Sequence, residues 1–237
     1  MSAEIILFDL PSRAGKAWSL NPWKTRLALN YKGLPYRTEW IEYPDLRPTF
    51  QGLGIPPNET GFAYSSPTIK LPDGSYVMES RKIASALEER HPTPSLHLDS
   101  PYLARVEAVL SKLLPGLRSV YAPLVPKLFL NPRSQEYFIP DRERSFGKSL
   151  DEVSQGADQA FEDSRPYVAQ LAELLRDNQD GPFFAGKEVG YADFMVVAFL
   201  RMLTLLGVAD KLWKEDGEKE LKGLYQACEK WVERDSY

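Results

Sequence analysis

Glu79 and Ser80 are the residue pair best suited to chemistry, because they fall where a helix should begin. Free backbone N–H groups and the positive end of the helix dipole meet there, and both favour a carboxylate. The Ser80 hydroxyl adds a donor, and the Glu79 carboxylate suits a nearby ammonium group. A carboxylate and an ammonium on one carbon describe the end of an amino acid or a peptide. The elements that must position this pair lie in residues 65–92. Residues 68–71 and 76–78 are short apolar runs, and Pro72, Asp73, Gly74 and Ser75 between them are turn chemistry. A helical pattern follows, with Ile83 and Leu87 on its buried side, and it stops before Pro92. Pro67 opens the first strand, where its ring withholds a ladder donor, so an edge or a cis turn is expected.

Upstream, residues 5–10 read as a buried strand and residues 36–41 as a second one. Between them runs a helix over 22–31, with Asn21 as N-cap, Pro22 in its first turn and Gly33 past its end. Such a β-α-β unit implies a right-handed crossover and a parallel strand pair. With the hairpin and its helix, the expected unit is an α/β thioredoxin-like domain over residues 1–92. Lys24 and Arg26 read as a solvated face of the first helix. Residues 45–64 hold Pro48, Pro56 and Pro57 and read as a long loop in which a second helix is thin or lost. That loop is either a plain insertion or a lid over the site.

From residue 101 to 237 helical periodicity dominates, so an all-α second domain is expected. Its best helices are 102–114, 150–176, 191–206 and 218–234. Residues 114–140 carry five prolines and should be kinked or irregular.

Bulk properties exclude several classes. A net charge of −4 in 237 residues, with 43% hydrophobic and 26% charged residues, favours neither nucleic acid nor a membrane surface. The opening MSAEIILFDL lacks the basic and long apolar regions of a signal peptide. Cys228 is the only cysteine, which forbids an internal disulfide and suits a reducing, cytoplasmic setting. Spacing around His91 and His97 suggests no metal site, and none is expected.

Two motifs carry a family resemblance. Residues 65–80 resemble the glutathione-binding half of the glutathione transferase superfamily. The resemblance implies that the backbone at Ser66-Pro67 pairs with the cysteinyl part of glutathione, and that Glu79 and Ser80 hold its γ-glutamyl end. Ser66 stands where the family usually has Val. The second motif is Phe183-Phe184-Ala185-Gly186 followed by Gly190-Tyr191-Ala192-Asp193, which resembles the family's capped central helix. Gly190 has no side chain to complete a capping box, and Asp193 is read as structural.

Glutathione would thus be the co-substrate. A free thiol with a pKa near 8.5 is only about 3% ionised at pH 7. Lowering that pKa by about two units takes about 2.7 kcal/mol, within reach of one or two hydrogen bonds to the charged sulfur. The family places a Tyr, Ser or Cys after the first strand for this purpose. This chain offers Ser19 first, Asn21 second and Ser12 third. The absence of a cysteine there separates it from thiol-reductase members.

Residues 15–45 resemble the fungal etherase-like branch, related to bacterial β-etherases. This implies hydrophobic aromatic substrates, glutathione-dependent aryl ether cleavage and a homodimer. Tyr64, Tyr121 and Phe129 are candidate walls of an acceptor cleft. The alternative is a non-catalytic carrier or regulatory protein of the same fold.

Overall fold

The computed structural model describes residues 4–212 and 217–236. The first three residues of the expected first domain, and residues 213–216 and 237 of the second, lie outside the described residues. A four-stranded sheet forms the first half: β1 (Ile5–Asp9), β2 (Tyr36–Trp40), β3 (Thr68–Lys70) and β4 (Tyr76–Met78). Its order is β2-β1-β3-β4, with β1 parallel to β2 and the other pairs antiparallel. This is the expected β-α-β unit followed by a hairpin. The register places Leu7 against Thr38 and Ile69, with Leu7 and Ile69 fully buried.

Helix α1 (Leu20–Tyr31) starts two residues earlier than expected, and its N-cap is Ser19, not Asn21. Trp23 N–H donates to Ser19 O at 3.1 Å and closes the first turn around Pro22, whose missing N–H is one that a helix start leaves unpaired anyway. Lys24 and Arg26 are not solvated. Arg26 is fully buried and pairs with the buried Asp9 at 2.9 Å, donating also to Thr38 Oγ1 at 3.0 Å. Its guanidinium lies 5.6–5.8 Å from the ring centroids of Trp23, Tyr36 and Trp40. Burial pushes the Asp9 carboxyl up, while Arg26 and the Leu10 N–H pull it back.

The expected long loop contains a 3-10 turn (Tyr43–Asp45) that runs into α2 (Leu46–Gly52). The second helix is therefore short but present. Pro44 and Pro48 fall in opening turns, where no helix donor is lost, and Leu46 and Phe50, four apart, bury one face. Helix α3 (Ser80–Arg90) closes the first half. Beyond it, Lys32 Nζ donates to Glu88 Oε2, His91 O and Pro94 O at 2.5–2.7 Å, fastening the connecting segment.

Among the described residues the second half is built of helices, apart from a non-helical stretch over 177–190 with isolated β-bridges. It comprises α4 (Pro101–Gly116), α5 (Arg118–Leu128), α6 (Pro132–Phe146), α7 (Leu150–Ser154) and α8 (Ala157–Arg176). Then come α9 (Tyr191–Leu205), α10 (Ala209–Leu212), α11 (Glu218–Ala227) and α12 (Glu229–Val232). Helix α4 holds Pro115, α5 holds Pro123 and Pro126, and α6 holds Pro140, so the proline-rich stretch is mostly helical and is interrupted at 117 and 129–131. The expected helices 150–176 and 218–234 each divide, at Gly156 and at Cys228.

Helix α9 is the buried centre, packed against α1 and α4. Among the described residues no helix is long and apolar enough to cross a membrane. Residues 228–236 return to the first half: Ala17 N–H donates to Asp235 O at 2.7 Å, Lys16 pairs with Asp235 at 3.2 Å, and Asn30 Nδ2 donates to Trp231 O at 2.7 Å.

Candidate functional site

The loop after β1 is shaped before it meets any ligand. Ser12 is buried and spends its hydroxyl locally, donating to Lys16 O at 2.6 Å and accepting from Lys16 N–H at 3.0 Å. It lines neither cavity of the site. Trp18 is buried, with its ring stacked 5.0 Å from Phe129 and its indole N–H on Pro11 O at 3.2 Å. Phe129 is therefore core and not a cleft wall.

Ser19 and Asn21 follow, and both line two adjoining cavities, of about 320 and 420 Å³. As N-cap, Ser19 makes no side-chain capping bond. Asn21 Oδ1 accepts from Lys24 Nζ at 2.9 Å. An ammonium only donates, so it fixes the amide oxygen and leaves both Nδ2 protons for other partners. Burial lowers the Lys24 pKa to about 8, against the pull of Glu107 and Glu79.

Ser66 lines the smaller cavity with Ser19 and Asn21. The Ser66–Pro67 peptide is cis, and Ser66 Oγ donates to Phe8 O at 3.0 Å. Pro67, Glu79 and Ser80 lie outside the lining. Glu79 is tied to it through Ser65, whose hydroxyl donates to Glu79 Oε1 at 2.5 Å, while Asn58 Nδ2 donates to the same oxygen at 2.8 Å. Glu79 has φ 80°, a sparsely populated region for a residue with a side chain, which marks a site under constraint. Ser80 opens α3 beside Tyr191, whose buried hydroxyl closes no hydrogen bond, although Ser80 lies near enough to oppose the upward push of burial on its pKa.

Five residues line both cavities: Ser19, Asn21, Tyr43, Phe62 and Arg142. Three of these carry no signal in the sequence. Tyr43 sits in the 3-10 turn after β2, and burial raises its pKa to about 12, so it stays a neutral O–H donor at physiological pH. Phe62 stands 66% exposed on the loop before Pro67, its ring 5.4 Å from the Arg142 guanidinium. Among the earlier cleft candidates, Tyr64 lines the smaller cavity and Tyr121 the larger.

Asp193 accepts from Phe184 N–H at 2.9 Å and Gly190 N–H at 2.7 Å, which fixes the start of α9. It lines neither cavity. Cys228 is buried, and burial pushes its thiol pKa up, which makes it unreactive. Among the described residues no group of three or more His, Cys, Asp or Glu is placed to hold a metal.

The comparisons with known proteins agree on one family. A model described as "Glutathione S-transferase, N-terminal domain" matches residues 18–90, and one described as "Glutathione S-transferase, C-terminal domain" matches residues 104–231. The "Glutathione S-transferase-like protein ustS" of Aspergillus flavus is 31% identical over 249 residues, covering 96% of this chain and 89% of that protein. Among solved structures, glutathione S-transferase CsGST63524 of Ceriporiopsis subvermispora, in complex with glutathione, is 30% identical with a TM-score of 0.84. The match covers 96% of this chain and 97% of that one. Glutathione transferase GSTFuA3 of Phanerochaete chrysosporium is 26% identical with a TM-score of 0.79, covering 98% of each chain. The expected α/β domain followed by an all-α domain is the observed fold, and the chain belongs to the glutathione S-transferase superfamily.

Proposed function

We infer that this protein is a glutathione transferase that turns the glutathione thiol into a thiolate and directs it at hydrophobic aromatic substrates, aryl ethers among them. One observation carries this: Ser19 and Asn21, at the start of α1, face a cavity shared with Ser66 and open onto a second, aromatic one. Two donors and a helix N-terminus there favour a charged sulfur. Backbone at Ser66-Pro67 takes the cysteinyl part of glutathione, and Glu79 with Ser80 takes its γ-glutamyl end. In ether cleavage the sulfur forms a bond to the ether-bearing carbon, the C–O bond breaks, and the phenolate leaves and takes a proton from solvent. The protein holds the two reactants close and in line. The same reading takes it to be a cytoplasmic homodimer, on family kinship.

Glutathione at one hundred times its dissociation constant is expected to stabilise the fold by about 2.7 kcal/mol in a thermal shift. Ser80→Ala is expected to weaken glutathione binding by about 1.5–3 kcal/mol, read by calorimetry. Unchanged affinity would remove Ser80 from the site.

Ser19→Ala is expected to raise the thiol pKa of bound glutathione and to slow turnover at pH 7, with activity recovering at higher pH. Ultraviolet absorbance of the bound thiolate, titrated in both proteins, checks this. Identical titrations would pass the role to Asn21, to be tested in Asn21→Ala. If a fluorescent β-aryl ether and simple aryl halides both fail to react while aromatic dyes bind tightly, the carrier reading replaces the enzyme.

A further inference from the structure

The larger cavity has an electrostatic character that a purely apolar ligand would not need. Arg118 and Arg142 line it beside Tyr43, Phe62, Tyr121 and Phe138, and no Asp or Glu lines it. The chain as a whole carries a net charge of −4, so this excess of cations is local. Arg118, at the start of α5, makes no ion pair with a carboxylate among the described residues. Arg142 pairs with Asp141, and its guanidinium lies 4.6 Å from the Phe138 ring centroid and 5.4 Å from that of Phe62. Stacking of this kind holds a planar cation in one orientation with donors to spare. Tyr121 lines the same cavity as both arginines, and burial pushes its pKa up while the charge and hydrogen bond of Arg118 and the charge of Arg142 oppose that push. Arg47 lines only the smaller cavity, with Ser66, Arg142 lines both, and Arg118 lines the larger but not the smaller.

We propose that the aromatic acceptor carries an anionic group, a carboxylate or sulfonate, and that Arg118 and Arg142 bind it at the wall of the larger cavity. This rests on the transferase reading above for the identity of the reaction, but not for the charge of the ligand. A planar guanidinium matches a carboxylate through paired hydrogen bonds, and the surrounding rings hold the aromatic frame. A neutral acceptor of the same shape fills the cavity but gives Arg118 no anionic partner.

The test uses the full-length protein and a matched pair of acceptors, 4-chloro-3-nitrobenzoate and the neutral 4-chloro-3-nitrobenzamide. Each rate is divided by the uncatalysed rate with glutathione, which removes the difference in ring reactivity. Wild type is expected to favour the benzoate by about tenfold in kcat/KM. Arg118→Gln, a change at an exposed side chain, is expected to cut that ratio to about twofold or less. Arg142→Gln should do the same. Equal rates for the two acceptors in wild type overturn the proposal. So does a variant that raises the KM for glutathione while the acceptor ratio stays, because the arginines would then serve glutathione's own carboxylates.

Binding of the unreactive 3-nitrobenzoate and 3-nitrobenzamide, followed by quenching of tryptophan fluorescence, separates the two readings. A preference for the benzoate that Arg118→Gln abolishes, without any turnover, upholds the anion site and removes the transferase reading. Equal binding of both overturns the anion site whatever the turnover.

Discussion

Arg26→Met is expected to destabilise the protein by about 3–5 kcal/mol, more than any change at the ligand-facing residues. The substitution keeps most of the side-chain volume but strands the Asp9 carboxylate, which is fully buried 2.9 Å from the lost cation. Asp9 retains only the Leu10 N–H, at 2.7 Å. An isolated buried charge is costly, whereas a buried pair replaced as a unit is often neutral. The double variant Asp9→Leu/Arg26→Met should therefore recover most of the loss. Urea midpoints for the four proteins check both statements. A single-variant loss below about 1 kcal/mol would mean that water reaches Asp9 once Arg26 is gone. Asp9 ends β1 just ahead of the loop that carries Ser19, so the damage should spread to glutathione binding.

The second large effect is expected in the pH dependence contributed by Asp193. Burial raises its pKa from 3.8 to about 7, outweighing the backbone N–H groups of Phe184, Gly190 and Asp193 itself, which favour the charged form. The folded state thus holds a proton that the unfolded state has already released. Between the two pKa values each rise in pH favours unfolding, by about 1.4 kcal/mol per unit, and above the folded pKa the effect is flat. Asp193→Asn does not titrate. The stability of wild type relative to this variant should therefore fall from about pH 4 to about pH 7, by on the order of 4 kcal/mol in all, and then level off. Denaturant titrations of both proteins across that range measure it. A constant difference would mean that Phe184 and Gly190 N–H keep the carboxylate ionised throughout.

The hairpin and α3 were legible because Pro67, Pro72, Gly74 and Pro92 punctuate them, and punctuation is local. Helix α9 was legible because its apolar run allows no other placement. Lys24 and Arg26 were misread for a definite reason. Polar residues at helical spacing mark a solvated face only when the helix has one, and α1 lies between the sheet and α9 with eight residues buried from Pro22 to Leu29. Only tertiary placement shows that. The prolines of α2, α5 and α6 misled in the opposite sense. A proline near a helix start, such as Pro48, costs nothing, and buried packing holds Pro123 and Pro126 in α5, while Pro140 lies on the exposed side of α6.

Within the site, Ser19, Asn21 and Ser66 were found through the family resemblance and do share one cavity. Tyr43, Phe62, Arg118 and Arg142 arrive from separate segments, and no spacing in the chain connects them. Ser12 ranked third behind Ser19 and Asn21 in the sequence, and it does not line the cavity they share. The difference is a five-residue turn in which Lys16 takes up its hydroxyl.

The return of residues 228–236 to the first half bears on the order in which the molecule is made. Asp235 holds Ala17 and Lys16, two and three residues ahead of Ser19. A chain emerging from the ribosome folds from its N-terminal side, in units that close as their contacts become available. The sheet can pair as soon as Met78 is out. The loop that would activate the thiol waits for a residue synthesised more than two hundred positions later. Residues made first thus become ordered last, and a nascent chain does not display the finished loop before its helical half is complete.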